Sequence, residues 1–188
     1  MDKQRDIIQE LAQYKGVVFD LDGTLVDLGV DWVSLKQELS LYCKKEKGIE
    51  MEFTPLDQKI HEAKKKFGDH FFLGLLEKIS YFELREEKYR LNNELVDFVN
   101  SASNQRIAIY SMNTEKCVEN FIDRYLTRKP DRVITKDTCL EPKPTDKDLK
   151  KILKEWDMTE QEVVYIGNSE NDRLSGEKAG IKTVIIQI

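Results

Sequence analysis

Long apolar runs are missing from this 188-residue chain: no stretch approaches the ~20 residues that a membrane-spanning helix needs. The opening segment, Met1 to Gln13, is too polar for a signal peptide. Cysteine is scarce. Cys43, Cys117 and Cys139 are odd in number and lack metal-type spacing, which fits free thiols in a reducing compartment. These absences predict a cytoplasmic protein with no membrane partner. An excess of basic residues is missing too: 30 Lys and Arg stand against 35 Asp and Glu, a net charge of −5, which speaks against nucleic acid as a partner. With 4 prolines and 9 glycines, the chain holds no low-complexity segment, internal repeat, P-loop or dinucleotide-type glycine pattern.

What remains is an ordinary globular composition, 40% hydrophobic and 35% charged, long enough for one core and a modest insertion. Ile7, Ile8, Leu11 and Tyr14 give residues 1–15 an amphipathic helix that packs on the core. Val17, Val18 and Phe19 form a short β-former run with no polar alternation, the mark of a strand buried on both faces. From residue 29 to 91 the pattern turns helical. Trp32, Leu35, Leu39 and Tyr42 mark a first face, and Ile60, Ala63 and Phe67 a second after Pro55. Phe71, Phe72, Leu75, Leu76 and Ile79 mark a third, and Tyr81 to Leu91 a fourth, with Glu50 to Thr54 the one strand candidate.

From residue 92 strands and helices alternate, which predicts a parallel sheet. The strands are Ile107 to Tyr110, Arg132 to Thr135, Val163 to Ile166 and Thr183 to Ile186. The stripe Leu149, Ile152, Leu153, Trp156 is a helix started by Thr145 with Asp148, and Thr159 with Glu162 repeats that capping signal. The expected architecture is α/β: a Rossmann-like parallel sheet formed by residues 16–28 and 92–188, with an inserted helical unit at residues 29–91.

Chemistry gathers at the strand ends. Asp20 and Asp22 follow the first strand one residue apart, so period-2 geometry aims both carboxylates to one side. Two acids so close repel unless a cation stands beside them. Gly23 then allows a sharp turn. Ser111 ends the second core strand, Lys143 lies between Pro142 and Pro144, and Asn168 to Asp172 follows the strand at Val163. In open α/β sheets ligands sit beyond these carboxyl ends.

The run Asp20-Leu21-Asp22-Gly23-Thr24-Leu25-Val26, followed in order by Ser111, Lys143 and Asn168 to Asp172, resembles the four signatures of the haloacid dehalogenase-like (HAD) hydrolases. The helical insert between the first two places it near the phosphoglycolate phosphatase-like group, whose caps are helical. The resemblance implies a phosphatase that uses Mg2+ and acts on a small phosphorylated metabolite through an aspartyl-phosphate. Asp20 would be the nucleophile and Asp22 the general acid/base. Thr24, Ser111, Met112 and Lys143 would bind phosphate, and Asp20, Asp22, Asn168 and Asp172 would hold the metal. Asn168 departs from the pattern, because the family usually has an acid there. A sugar-phosphate mutase keeps the same motifs, and a non-catalytic binding protein of the same fold is the reading that Asn168 favours. His61 and His70 have no metal-spaced partner, and Lys64, Lys65 and Lys66 read as a solvated face.

Overall fold

The computed structural model describes residues 3–85 and 89–188. Five parallel strands make the sheet, in the order β5-β4-β1-β6-β7. They are β1 (Gly16–Phe19), β4 (Arg106–Tyr110), β5 (Arg132–Ile134), β6 (Val163–Gly167) and β7 (Lys182–Ile185). A separate two-stranded ribbon pairs β2 (Val26–Asp27) with β3 (Arg90–Leu91). Central β1 registers Val17 against Ile107 on one side and Val164 on the other.

Alternation along these strands feeds two cores. Val17, Phe19, Ile107, Ile109, Val164 and Ile166 point into one layer. That layer is closed by α1 (Lys3–Leu11), α5 (Asn93–Ser101) and α6 (Glu115–Tyr125). Val18, Ala108, Tyr110 and Tyr165 point the other way, onto α7 (Lys147–Trp156) and α8 (Glu170–Ala179). Burial on both faces explains why β1 reads as an unbroken apolar run. Gly16 is needed here, since a Cβ would come within 2.6 Å of the Trp156 ring.

The helical insert begins after β2 and ends before β3, so the ribbon forms its stem. It comprises α2 (Trp32–Lys47), α3 (Leu56–Phe67) and α4 (Asp69–Glu83), packed on an apolar cluster of their own that includes Leu35, Leu39, Ile60, Phe71 and Leu75. Asp31 caps α2 by accepting from Ser34 N at 3.0 Å, and Gly48 ends it in the left-handed region at φ 69°.

Several sequence expectations need correction. The third helix of the insert, α4, runs on to Glu83 and takes in the first residues of the expected fourth, because Ser80 and Glu83 fit the buried stripe by bonding to core groups. The expected fourth helix does not reach Leu91: β3 begins at Arg90, and residues 86–88 lie outside the described set. Glu50 to Thr54 is not a strand. Phe53 is buried in the insert's core from an irregular segment. Helix α7 starts after Asp146, and Asp148 accepts from Leu140 N at 3.0 Å where a capping box was expected. The Thr159–Glu162 box does form, around a 3-10 turn that leads into β6. Among the described residues no helix is long and apolar enough to cross a membrane.

Candidate active site

A cleft of about 270 Å³ opens at the carboxyl ends of β1, β4 and β6. This is the point where the strand order reverses, since the chain runs outward from β1 to β4 and β5 and then crosses to β6 on the far side. Asp20, Asp22, Met112, Asn113, Lys143 and Asn168 line it from the sheet side, and Trp32, Lys36 and Asp57 line it from the insert.

The turn after β1 is tight. Gly23 sits at φ 79°, and its N–H donates to Val26 O at 2.7 Å. A Cβ there would lie 1.9 Å from Asn168 Nδ2, so glycine lets the Asn168 amide rest on the turn. Gly167 serves a similar end, since a Cβ would fall 2.5 Å from that of Asp172. Asp22 is held by Leu28 N, which donates to its Oδ1 at 2.9 Å.

Lys143 is the hub, with only 3% of its surface exposed. Its ammonium donates to Asp20 Oδ1 at 2.8 Å, to Asp172 Oδ1 at 2.7 Å and to Tyr110 O at 2.8 Å. The Tyr110 ring centroid is 4.5 Å from Nζ and that of Tyr165 is 5.4 Å away. Burial alone would lower the lysine's pKa, but Asp20 and Asp172 outweigh it and hold the pKa above its usual value.

The two carboxylates that share this ammonium are not equivalent. Asp172 accepts from five protein donors: Lys143 and Tyr165 on Oδ1, and Asn168 N, Ser169 N and Ser169 Oγ on Oδ2. Burial pushes its carboxyl up, yet Lys143 and these donors hold it at about 2. Asp20 has fewer donors, namely Lys143 and Thr24 Oγ1 at 3.3 Å. Burial raises its carboxyl to about 7 against the pull of Lys143, with Asp172 and Asp22 adding to the rise. Burial also lifts Asp22, to about 6. Burial therefore inclines both Asp20 and Asp22 to hold a proton.

The structure brings Asp20, Asp22, Met112, Lys143, Asn168 and Asp172 to one cleft. Thr24, expected at the phosphate, is fully buried, and its hydroxyl donates to Asp20 Oδ2 and supports that carboxylate. Ser111 is also fully buried, and its hydroxyl donates to Asn113 Oδ1 at 2.7 Å. Asp172, expected as a metal ligand, has both oxygens engaged by the protein. Among the described residues no three carboxylate, imidazole or thiol side chains converge as a metal cluster. His61, on α3, lines a neighbouring cavity and does not line the cleft of Asp20 and Asp22.

Sequence reading missed the link between insert and sheet. Glu83, at the end of α4, is fully buried and accepts from Asn113 Nδ2 at 3.0 Å, Thr114 N at 3.0 Å and Thr114 Oγ1. Asn113 in turn holds Ser111, so the helix end is tied to the β4 loop. Burial raises the Glu83 carboxyl, while Lys136 and the three donors pull it down less strongly. Asp57 pairs with Lys136, and Gln58 Nε2 donates to Lys143 O at 2.9 Å. Lys136 and Asp57 carry no local signal that pairs them.

Comparison with known proteins identifies the family. The profile of the haloacid dehalogenase-like hydrolase family matches residues 17–186. Among solved structures, CbbY from Rhodobacter sphaeroides in complex with phosphate is similar, with a TM-score of 0.65 at 17% identity, over 93% of this chain and 87% of that one. A predicted phosphoglycolate phosphatase from Haemophilus somnus gives 0.58 at 17% identity, over 92% and 85%. A hydrolase from Streptococcus pneumoniae gives 0.53 at 21%, over 93% and 94%. At these identities the likeness is one of fold. No curated protein matches significantly.

Proposed function

Because the chain belongs to the haloacid dehalogenase-like hydrolases, we propose that it is a Mg2+-dependent phosphatase that hydrolyses a small phosphorylated metabolite through an aspartyl-phosphate on Asp20. The observation that carries this reading is Lys143, buried and bonded at once to Asp20 and Asp172 under a cleft that Asp22 also lines. The cleft volume suits a small molecule.

In this reading Asp20 attacks phosphorus and the ester P–O bond breaks, with the electron pair leaving on the alcohol oxygen. Asp22, whose carboxyl is raised to about 6, keeps a proton for that oxygen at slightly acid to neutral pH. It then takes a proton from water as the water attacks the phosphoaspartate, which releases inorganic phosphate and restores Asp20. Lys143 fixes the nucleophile and carries positive charge to the incoming phosphoryl oxygens. Thr24 steadies the second Asp20 oxygen.

The residues fit a hard divalent cation in donor chemistry and in charge. The Asp20 carboxylate, the Asp22 backbone carbonyl and the Asn168 amide supply oxygen donors. Burial displaces both carboxyls upward, so a cation beside them would restore their ionised forms. When bound, Mg2+ would keep Asp20 ionised and offset the charge of the phosphate it approaches. Asp172 would act by holding Lys143 and by its charge, without direct ligation.

The test is release of phosphate from 4-nitrophenyl phosphate with Mg2+ and with chelator. Turnover that needs Mg2+ and vanishes in Asp20→Asn is expected; turnover indifferent to Asp20 would overturn the mechanism. The neutral amide of Asn168 favours one rival, a binding protein without catalysis. Silence in the wild type with activity appearing in Asn168→Asp would establish that rival.

A further inference from the structure

Glu83 is a buried carboxylate that the chemistry at Asp20 leaves without a task. It closes α4 with none of its surface exposed, and its partners belong to the loop after β4. Its Oε1 accepts from Asn113 Nδ2 at 3.0 Å, and its Oε2 accepts from Thr114 N at 3.0 Å and from the Thr114 hydroxyl. Thr114 is the residue before α6, so the carboxylate stands at the positive end of that helix, which helps it to stay charged out of water. One turn back on α4, Ser80 Oγ donates to Thr114 Oγ1 at 3.0 Å. Ser80, Glu83, Asn113 and Thr114 are all buried.

An ionised carboxylate can only accept. The end of the Asn113 amide that meets Glu83 is therefore its nitrogen. Its oxygen is turned to the other side, where the Ser111 hydroxyl donates to it at 2.7 Å. The rest of Asn113 has no latitude. Its N–H donates back to Ser111 Oγ at 3.1 Å, and its carbonyl accepts from Lys136 N at 2.9 Å. Ser111 is fully buried, so its one proton depends on Asn113 Oδ1 for an acceptor. The two bonds between Ser111 and Asn113 tie the loop together around Met112, which lines the Asp20 cleft. Met112 N makes no hydrogen bond among the described residues, so the tied loop keeps one backbone donor in reserve.

We propose that Glu83 is a positioning residue for the phosphoryl end of the site. By fixing which end of the Asn113 amide faces Ser111, it holds the loop after β4 in the shape that offers Met112 N–H to a phosphate oxygen. A side chain of the helical insert thereby sets a loop of the sheet without touching the substrate. This inference rests on the phosphatase reading for the identity of the ligand, but the loop's hold on phosphate is measurable without turnover.

Glu83→Gln keeps the shape and turns one acceptor into a donor. Thr114 N–H cannot turn round, so the Gln oxygen stays with it and the Gln amide nitrogen faces that of Asn113. An Asn113 amide that turns to relieve this clash presents donors to Ser111, whose buried proton then has no acceptor. With Mg2+, KM for 4-nitrophenyl phosphate and the dissociation constant of orthophosphate should both rise about ten-fold, with kcat changed less than about three-fold. Loss of a negative charge would by itself favour an anion, so the rise reads orientation. Glu83→Gln/Asn113→Asp is the rescue: the Gln nitrogen donates to one Asp oxygen, the other accepts from Ser111, and the pair keeps its net charge. Both constants should return to within about three-fold of wild type, and Asn113→Asp alone, with two carboxylates face to face, should bind more weakly than the double variant. That last comparison carries the test even where Glu83→Gln alone does not fold. Ser80→Ala removes a bond from the same buried seam without touching Asn113; it should lower the melting temperature and leave both constants unmoved. Turnover with both constants unmoved in Glu83→Gln, or with no recovery in the double variant, overturns the positioning role and leaves the phosphatase standing. Tighter phosphate binding in Glu83→Gln overturns it too, since the freed Ser111 proton would then serve the phosphate directly. Orthophosphate binding that weakens and recovers in this order where no ester turns over upholds the role and sinks the phosphatase reading.

Discussion

Asp20→Asn separates the burial of this carboxyl from every other property of the site. The folded protein holds the Asp20 proton up to about 7, whereas an unfolded aspartate releases it near 3.8. Between those values the folded state binds more protons than the unfolded state, so wild-type stability falls as pH rises through the window. Displacement of a carboxyl from 3.8 to about 7 corresponds to on the order of 4 kcal/mol. Asn is isosteric, keeps a carbonyl for Lys143 Nζ and carries no charge, so the variant lacks this slope. Asp22, raised to about 6, slopes the same way in both proteins and cancels in the comparison. Asp172, held at about 2, changes only below about 4. The variant should therefore gain on wild type from about pH 4 to pH 7 and then level off, by on the order of 10 °C in melting temperature at this chain length. Calorimetry in the presence of a chelator reads the difference. Parallel stability curves over that range would refute the claim that burial without enough positive charge dominates at Asp20.

Three other substitutions probe the same framework. Lys143→Ala leaves Asp20 and Asp172 buried without their shared cation, and urea denaturation should show a loss of about 3–5 kcal/mol together with loss of phosphate release. Gly23→Ala puts a side chain at φ 79° and against Asn168, so a loss of about 1–3 kcal/mol by thermal melting and a drop in turnover are expected. Glu83→Ala strands the Asn113 amide, Thr114 N and the Thr114 hydroxyl in a buried place, for a loss of about 3 kcal/mol in urea; a change under about 1 kcal/mol would show that water replaces the carboxylate.

Features whose causes lie within a few residues of one another are legible in the amino-acid sequence by itself. Unbroken β-formers at Val17, Val18 and Phe19 place the central strand, and the Asp20–Asp22 spacing with Gly23 places the turn that carries the carboxylates. Gly48 and Gly180 end their helices as glycines past a periodic stripe do, and the Thr159–Glu162 box forms where its spacing points. What the sequence hides depends on partners distant in the chain. Glu83 meets Asn113 across 30 residues, Lys136 meets Asp57 across 79, and Lys143 meets Asp20 across 123. Periodicity puts Lys64 and Lys65 on one helix face, but only the docking of α3 against the Leu140–Pro142 segment turns that face towards a cavity. The same holds for charge: a carboxylate's spelling is identical at Asp20 and Asp172. Folding gives Asp172 five donors and Asp20 two, and so decides which keeps its charge and which is left to take up a proton or a cation.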